Sequence, residues 1–214
     1  MKASTEQILQ TLCLRYPKLE CIGASVKAAC EEWISCFSAG GKLLICGNGG
    51  SASDALHIVG ELMKDFARCR PLSEKDREAI RSASEHAEYI CDNLQSALPA
   101  IALVGSAALE SAYANDRAPD LAFAQQVLGY GRPGDVLFAI STSGNSKNVI
   151  YAAEVAHAKG MKVIALTGES GGKLKDLCDV LVNVPEKETY RVQELHLPVY
   201  HALCLAVENE FFGE

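Results

Sequence analysis

Five continuous apolar runs of strand length constrain this chain more than any other feature: "GGKLLICG" (40–47), "PAIALVG" (99–105), "DVLFAIS" (135–141), "MKVIALTG" (161–168) and "DVLVNVP" (179–185). A strand that is apolar throughout, not at alternate positions, is buried on both faces. Helix-periodic stretches at 51–66, 71–98, 146–159 and 189–212 alternate with these runs. Strand and helix in alternation give an α/β fold, a doubly wound five-stranded parallel sheet flanked by helices. Residues 3–16 and 22–38 have helical periodicity and are separated by "YPKLE", so 1–38 reads as an N-terminal helical hairpin. With no repeat or low-complexity linker, 1–214 reads as a single domain, and the polar segment 71–98 as a helical insertion in it.

Bulk properties exclude several functions. A net charge of −7 argues against a general nucleic-acid binder, which must neutralise phosphates. No apolar run approaches the roughly 18 residues of a membrane span, and the charged, amphipathic start is unlike a signal peptide. The nine cysteines contain no C-x-x-C pair and their number is odd, which fits neither a zinc ribbon nor a complete disulfide framework. Five of them (Cys13, Cys30, Cys36, Cys46, Cys204) sit among apolar residues of expected helices or strands, so a reducing, cytoplasmic location is expected.

Two turns carry the chemistry. Ligands of parallel sheets sit beyond the carboxyl ends of the strands. There the first strand gives way to "GNGGS", in which Gly49 and Gly50 permit close backbone approach and Ser51 is the expected N-cap of a helix whose free N–H groups suit an anion. Asp54, three residues beyond Ser51, comes close to completing a capping box. The third strand runs into "AISTSGNSKN", where Ser141, Thr142, Ser143 and Ser146 offer hydroxyls at the start of another helix. Together the turns describe a phosphate cradle that needs no lysine. The helix after the first turn carries His57 and Glu61 on one face, as i and i+4. The last helix carries Gln193 and His201, with Pro198 between them expected to bend it and bring them nearer to one site.

The stretches "CGNGGSASDALH", "ANDRAPDLAF", "GDVLFAISTSGNSKNVI", "GMKVIALTG" and "RVQELHLPVYHAL", in that order, resemble the SIS (sugar isomerase) domain family, flavodoxin-like in fold, and within it the phosphoheptose isomerase branch. The resemblance implies aldose–ketose isomerisation of sedoheptulose 7-phosphate to D-glycero-D-manno-heptose 7-phosphate. It implies zinc held by His57, Glu61, Gln193 and His201, with Glu61 and His201 as the proton-transfer pair. Asn48, Asn115 and Asp116 match positions beside the sugar, and relatives of this size form homotetramers. The family also holds a non-catalytic replication-initiator-associating protein, which keeps a binding-only function as the alternative. A sensor with an appended DNA-binding domain ranks third, since the chain has no room for one. Two departures stand out: Asp65 occupies a position where the family often has Arg, and the 71–98 segment is longer than the typical linker.

Overall fold

The computed structural model describes residues 1–213. The sheet holds β1 (Leu43–Cys46), β2 (Ala100–Ala102), β3 (Val136–Ser141), β4 (Lys162–Thr167) and β5 (Val180–Asn183). All neighbours pair in parallel, in the order β2-β1-β3-β4-β5. The α/β doubly wound sheet expected from the apolar runs is therefore the fold, with each strand shorter than its run because the flanking Gly and Pro residues belong to the turns.

Side chains alternate between two apolar layers. Leu43, Ile45, Val136, Phe138, Ile140, Ile164 and Leu166 enter one core, and Leu44, Cys46, Leu137, Ala139, Val163 and Ala165 enter the other. Each strand is thus period-2 in direction and apolar in both. The first core is roofed by α1 (Ala3–Arg15), α2 (Gly23–Ser38), α3 (Gly50–Met63) and the long α9 (Thr189–Phe212). There the buried Trp33 meets Phe138 edge-on at 5.1 Å between ring centroids. The second core is covered by α7 (Ala122–Tyr130) and α8 (Lys147–Ala158).

The N-terminal hairpin forms as expected, with Pro17–Ile22 as a 3₁₀ turn between its helices. Its first helix docks on α9: Leu9 and Leu12 are buried, and Glu210 accepts from the Lys2 backbone N–H (2.8 Å) and the Thr5 hydroxyl (2.7 Å). The 71–98 segment is two short helices, α4 (Glu74–Ala83) and α5 (Ala87–Asn93). The break between them is local: the Ser84 hydroxyl accepts the His86 N–H at 3.1 Å, competing with the helical ladder. α6 (Ala107–Asp116) precedes α7. Pro198 sits inside α9 without ending it, and the helix runs unbroken from Thr189 to Phe212. No helix among the described residues is long and apolar enough to cross a membrane.

Strand order reverses between β1 and β3, whose chains leave in opposite directions to β2 and β4. That switch point leaves a crevice at the carboxyl ends of the strands.

Candidate active site

A cavity of about 300 Å³ opens at the switch point, lined by Asn48, Gly49, Gly50 and Ser51 from the turn after β1, Ser141, Thr142 and Ser146 from the turn after β3, and Thr189 and Gln193 from α9. Gly49, with φ of 56°, makes the turn that a side chain would oppose, and it stands as the N-cap of α3. Ser51, expected as that cap, is instead the second residue of the helix, buried and free of any capping bond. Gly50 is needed for another reason: a Cβ there would collide with the Gln193 side-chain amide, which lies over it. Ser146 caps α8 in position but not by side chain, because its Oγ is 3.0 Å from the Ser141 Oγ.

Two residues that sequence reasoning missed hold the cavity in shape. Asn148 exchanges two amide hydrogen bonds with Asn48 (2.9 and 2.8 Å) and so ties the β1 turn to α8. Thr189 opens α9 at the rim. Only the pairing of strands, not local spacing, brings Asn48 and Asn148 together.

Further along the same helices, α3 and α9 bring three of the four expected metal donors together. His57 Nε2 lies 3.2 Å from Glu61 Oε1, while Glu61 Oε2 accepts from Lys64 Nζ at 3.1 Å. The His57 and His201 rings meet edge to face at 4.9 Å. Burial and the neighbouring His57 hold the His201 imidazole below its ordinary range, opposed by Glu61. Behind His57 stands Tyr200, 1% exposed, its Oη 3.0 Å from His57 Nδ1 and 3.3 Å from Asp54 Oδ1. Asp54 therefore serves a partner on α9 and not a capping box.

The donor types suit a divalent ion. His57 Nε2 and Glu61 Oε1 stand at the separation of two tetrahedral ligands with bonds near 2.0 Å, about 3.3 Å. His201 Nε2 is buried with no hydrogen-bond partner, an orphaned polar atom next to that pair. Imidazole and carboxylate are the ligand types zinc takes. As the side chains stand, no three His, Cys, Asp or Glu among the described residues close around one point, and Gln193 lines the cavity at the switch point. The donor types fit the ion, and the sphere is open.

Several expected site residues lie elsewhere. Ser143 is exposed and its hydroxyl accepts the Asn145 N–H at 3.1 Å, outside the cavity. Asn115 and Asp116 are exposed at the end of α6, where the Asn115 amide donates to the Asp116 carboxylate. Asp65 binds through its backbone N–H to Gln95, and the cation beside Glu61 is Lys64.

Comparison with known proteins follows this geometry. The SIS domain profile matches residues 90–168. The phosphoheptose isomerase of Laribacter hongkongensis is 36% identical over 208 residues, 96% of this chain and 93% of that protein. That of Thiobacillus denitrificans is 44% identical over 177 residues, 81% of this chain and 77% of that protein. The chain belongs to the phosphoheptose isomerase family. Among solved structures, the phosphoheptose isomerase of Francisella tularensis superposes with a TM-score of 0.75 at 32% identity, over 91% of each chain. That of Neisseria gonorrhoeae gives 0.70 at 34% identity, over 96% of this chain and 92% of the other. In this chain the cavity lies at the first turns of α3 and α9, and His57, Glu61 and His201 stand further along the same two helices.

Proposed function

We propose that this chain is a phosphoheptose isomerase that interconverts sedoheptulose 7-phosphate and D-glycero-D-manno-heptose 7-phosphate through an enediol. One observation carries the reading: α3 and α9, whose first turns line a hydroxyl-rich cavity, also bear a carboxylate, Glu61, beside two imidazoles. The Ser51, Ser141, Thr142 and Ser146 hydroxyls and the α3 N-terminus hold the phosphate without a lysine. Asn48 and Gln193 face the sugar at the cavity wall. Glu61 takes the proton from carbon and returns it to the neighbouring carbon, and His201 moves the proton between the two oxygens. Lys64 orients Glu61 by donating to its other oxygen.

His57, Glu61, Gln193 and His201 would hold zinc, which when bound polarises the sugar carbonyl. The chain is read as cytoplasmic, in keeping with nine free cysteines among the described residues. It is read as a homotetramer, supported by a mostly apolar groove of about 260 Å³ between α1 and α9, where Ile8, Leu12, Pro198 and Leu205 are joined by Arg15 and His201. Segment 71–98 is proposed as an insertion in one domain.

The test is exchange of the C1/C2 hydrogens of sedoheptulose 7-phosphate in D₂O, followed by NMR with zinc added. Wild type should exchange, and Glu61→Gln should lose about 10²- to 10⁴-fold in rate, the usual share of a positioned acid–base group. Absence of exchange in wild type, with phosphosugar binding kept, would overturn the isomerase reading and leave a binding-only member of the family.

A further inference from the structure

Tyr200 has one hydroxyl proton and two polar neighbours. Asp54 Oδ1, 3.3 Å away, is a carboxylate oxygen that can only accept, so the tyrosine proton points there. The lone pair left on Tyr200 Oη must then be met by a donor, and the group facing it at 3.0 Å is His57 Nδ1. Nδ1 therefore carries the imidazole proton. In the neutral ring Nε2 is then bare and presents its lone pair toward Glu61 Oε1, itself an acceptor, 3.2 Å away. Two acceptors at that distance call for something electropositive between them.

We infer that Tyr200, held by Asp54, is a positioning residue that locks His57 in the Nδ1–H tautomer, so that His57 Nε2 and Glu61 Oε1 jointly face a cation. The ring is fixed in orientation as well. Tyr200 is 1% exposed and packs edge-on to both histidines, with centroids 5.5 Å from His57 and 5.0 Å from His201. A hydrogen bond to the far nitrogen of a metal-ligating histidine commonly sets both tautomer and ligand strength. Here that support is passed from a carboxylate through a phenol. The cation part of this inference rests on the proposed zinc site; the tautomer part does not.

The metal-free protein supplies the first readout. With histidine labelled in both ring nitrogens, long-range ¹H–¹⁵N correlation at a pH where imidazoles are neutral should show His57 with a pyrrole-type Nδ1 and a pyridine-type Nε2. Tyr200→Phe removes only the hydroxyl and should release the ring to a tautomer mixture. Asp54→Ala leaves Tyr200 free to donate to His57 and should turn the ring to the Nε2–H form. Zinc affinity, measured by competition with a chelator, should fall about 10- to 100-fold in Tyr200→Phe, as for other outer-shell partners. An Nε2–H ring in wild type, the pattern of a protonated Asp54, would overturn the inference. So would a Tyr200→Phe protein with the wild-type spectrum. A locked Nδ1–H ring in a wild-type protein that takes no zinc would uphold the tautomer lock and overturn the metal reading instead.

Discussion

Gly50 cannot carry a side chain while Gln193 keeps its place, since the two occupy the same space. Gly50→Ala is expected to push the Gln193 amide out of the cavity wall with little effect on folding. A displacement of about an ångström at a positioning group can cost on the order of 10²-fold, so kcat/KM should fall by about that factor with the melting temperature nearly unchanged. His196 is a different case. It is fully buried, and burial lowers its pKa from 6.5 to about 4, with the nearby Thr167 backbone opposing only in part. The folded state thus resists protonating His196 while the unfolded chain accepts the proton readily. Its contribution to stability is whole above pH 6.5 and is lost as pH falls toward 4. Between pH 7 and 5 that amounts to about 2 kcal/mol, from one pKa unit being worth about 1.4 kcal/mol. Urea denaturation at the two pH values should show this loss in wild type, and His196→Leu should show a shallower acid limb.

At the level of the elements, the carboxyl end of α3 is held by a buried ion pair. Arg70 and Glu208 are both fully buried, with Nε to Oε1 at 2.8 Å. Arg70 also donates to the Leu62 and Glu61 carbonyls, and Glu208 accepts the Phe66 and Ala67 N–H groups. Glu208→Gln would strand a buried guanidinium, at a cost of about 3–5 kcal/mol. For a chain of this size the melting temperature should fall by about 10 °C. A drop of only a degree or two would show that the pair is not what closes the helix. The elements themselves were largely legible in the sequence, because strands buried on both faces and helices of regular period leave patterns within a few residues. What stayed illegible depends on partners far along the chain. Asp54 reads locally as half of a capping box, yet its partner Tyr200 is 146 residues away. Asn148 reads as an ordinary helix residue, and only the adjacency of β1 and β3 gives it Asn48. Ser143 stands outside the cavity, where its hydroxyl accepts the Asn145 N–H within its own turn.

Over the whole molecule, the first and last helices close on each other. Besides the Glu210 bonds, the Asn209 amide donates to the Ser4 and Thr5 hydroxyls, both at 2.9 Å. Removing residues 1–16 would bare the α9 surface that Leu9 and Leu12 cover. At about 1.5–3 kcal/mol for each large apolar side chain buried, the truncated chain should lose about 3–6 kcal/mol from these two alone. Circular dichroism melts would register the change, and an unchanged transition would mean that α1 serves assembly and not the fold. The groove between α1 and α9 gives the same helix a second face.

This closure also sets an order of events during synthesis. The chain makes α1 long before α9, the helix that shelters Leu9 and Leu12. The central strand β1 meanwhile waits for β2 and for β3, about ninety residues behind it. Contacts so distant in sequence form slowly, and apolar faces left bare in the interval invite association with other chains. Translation speed and the supply of chaperones should therefore govern the yield of active protein more than the final stability of the fold does.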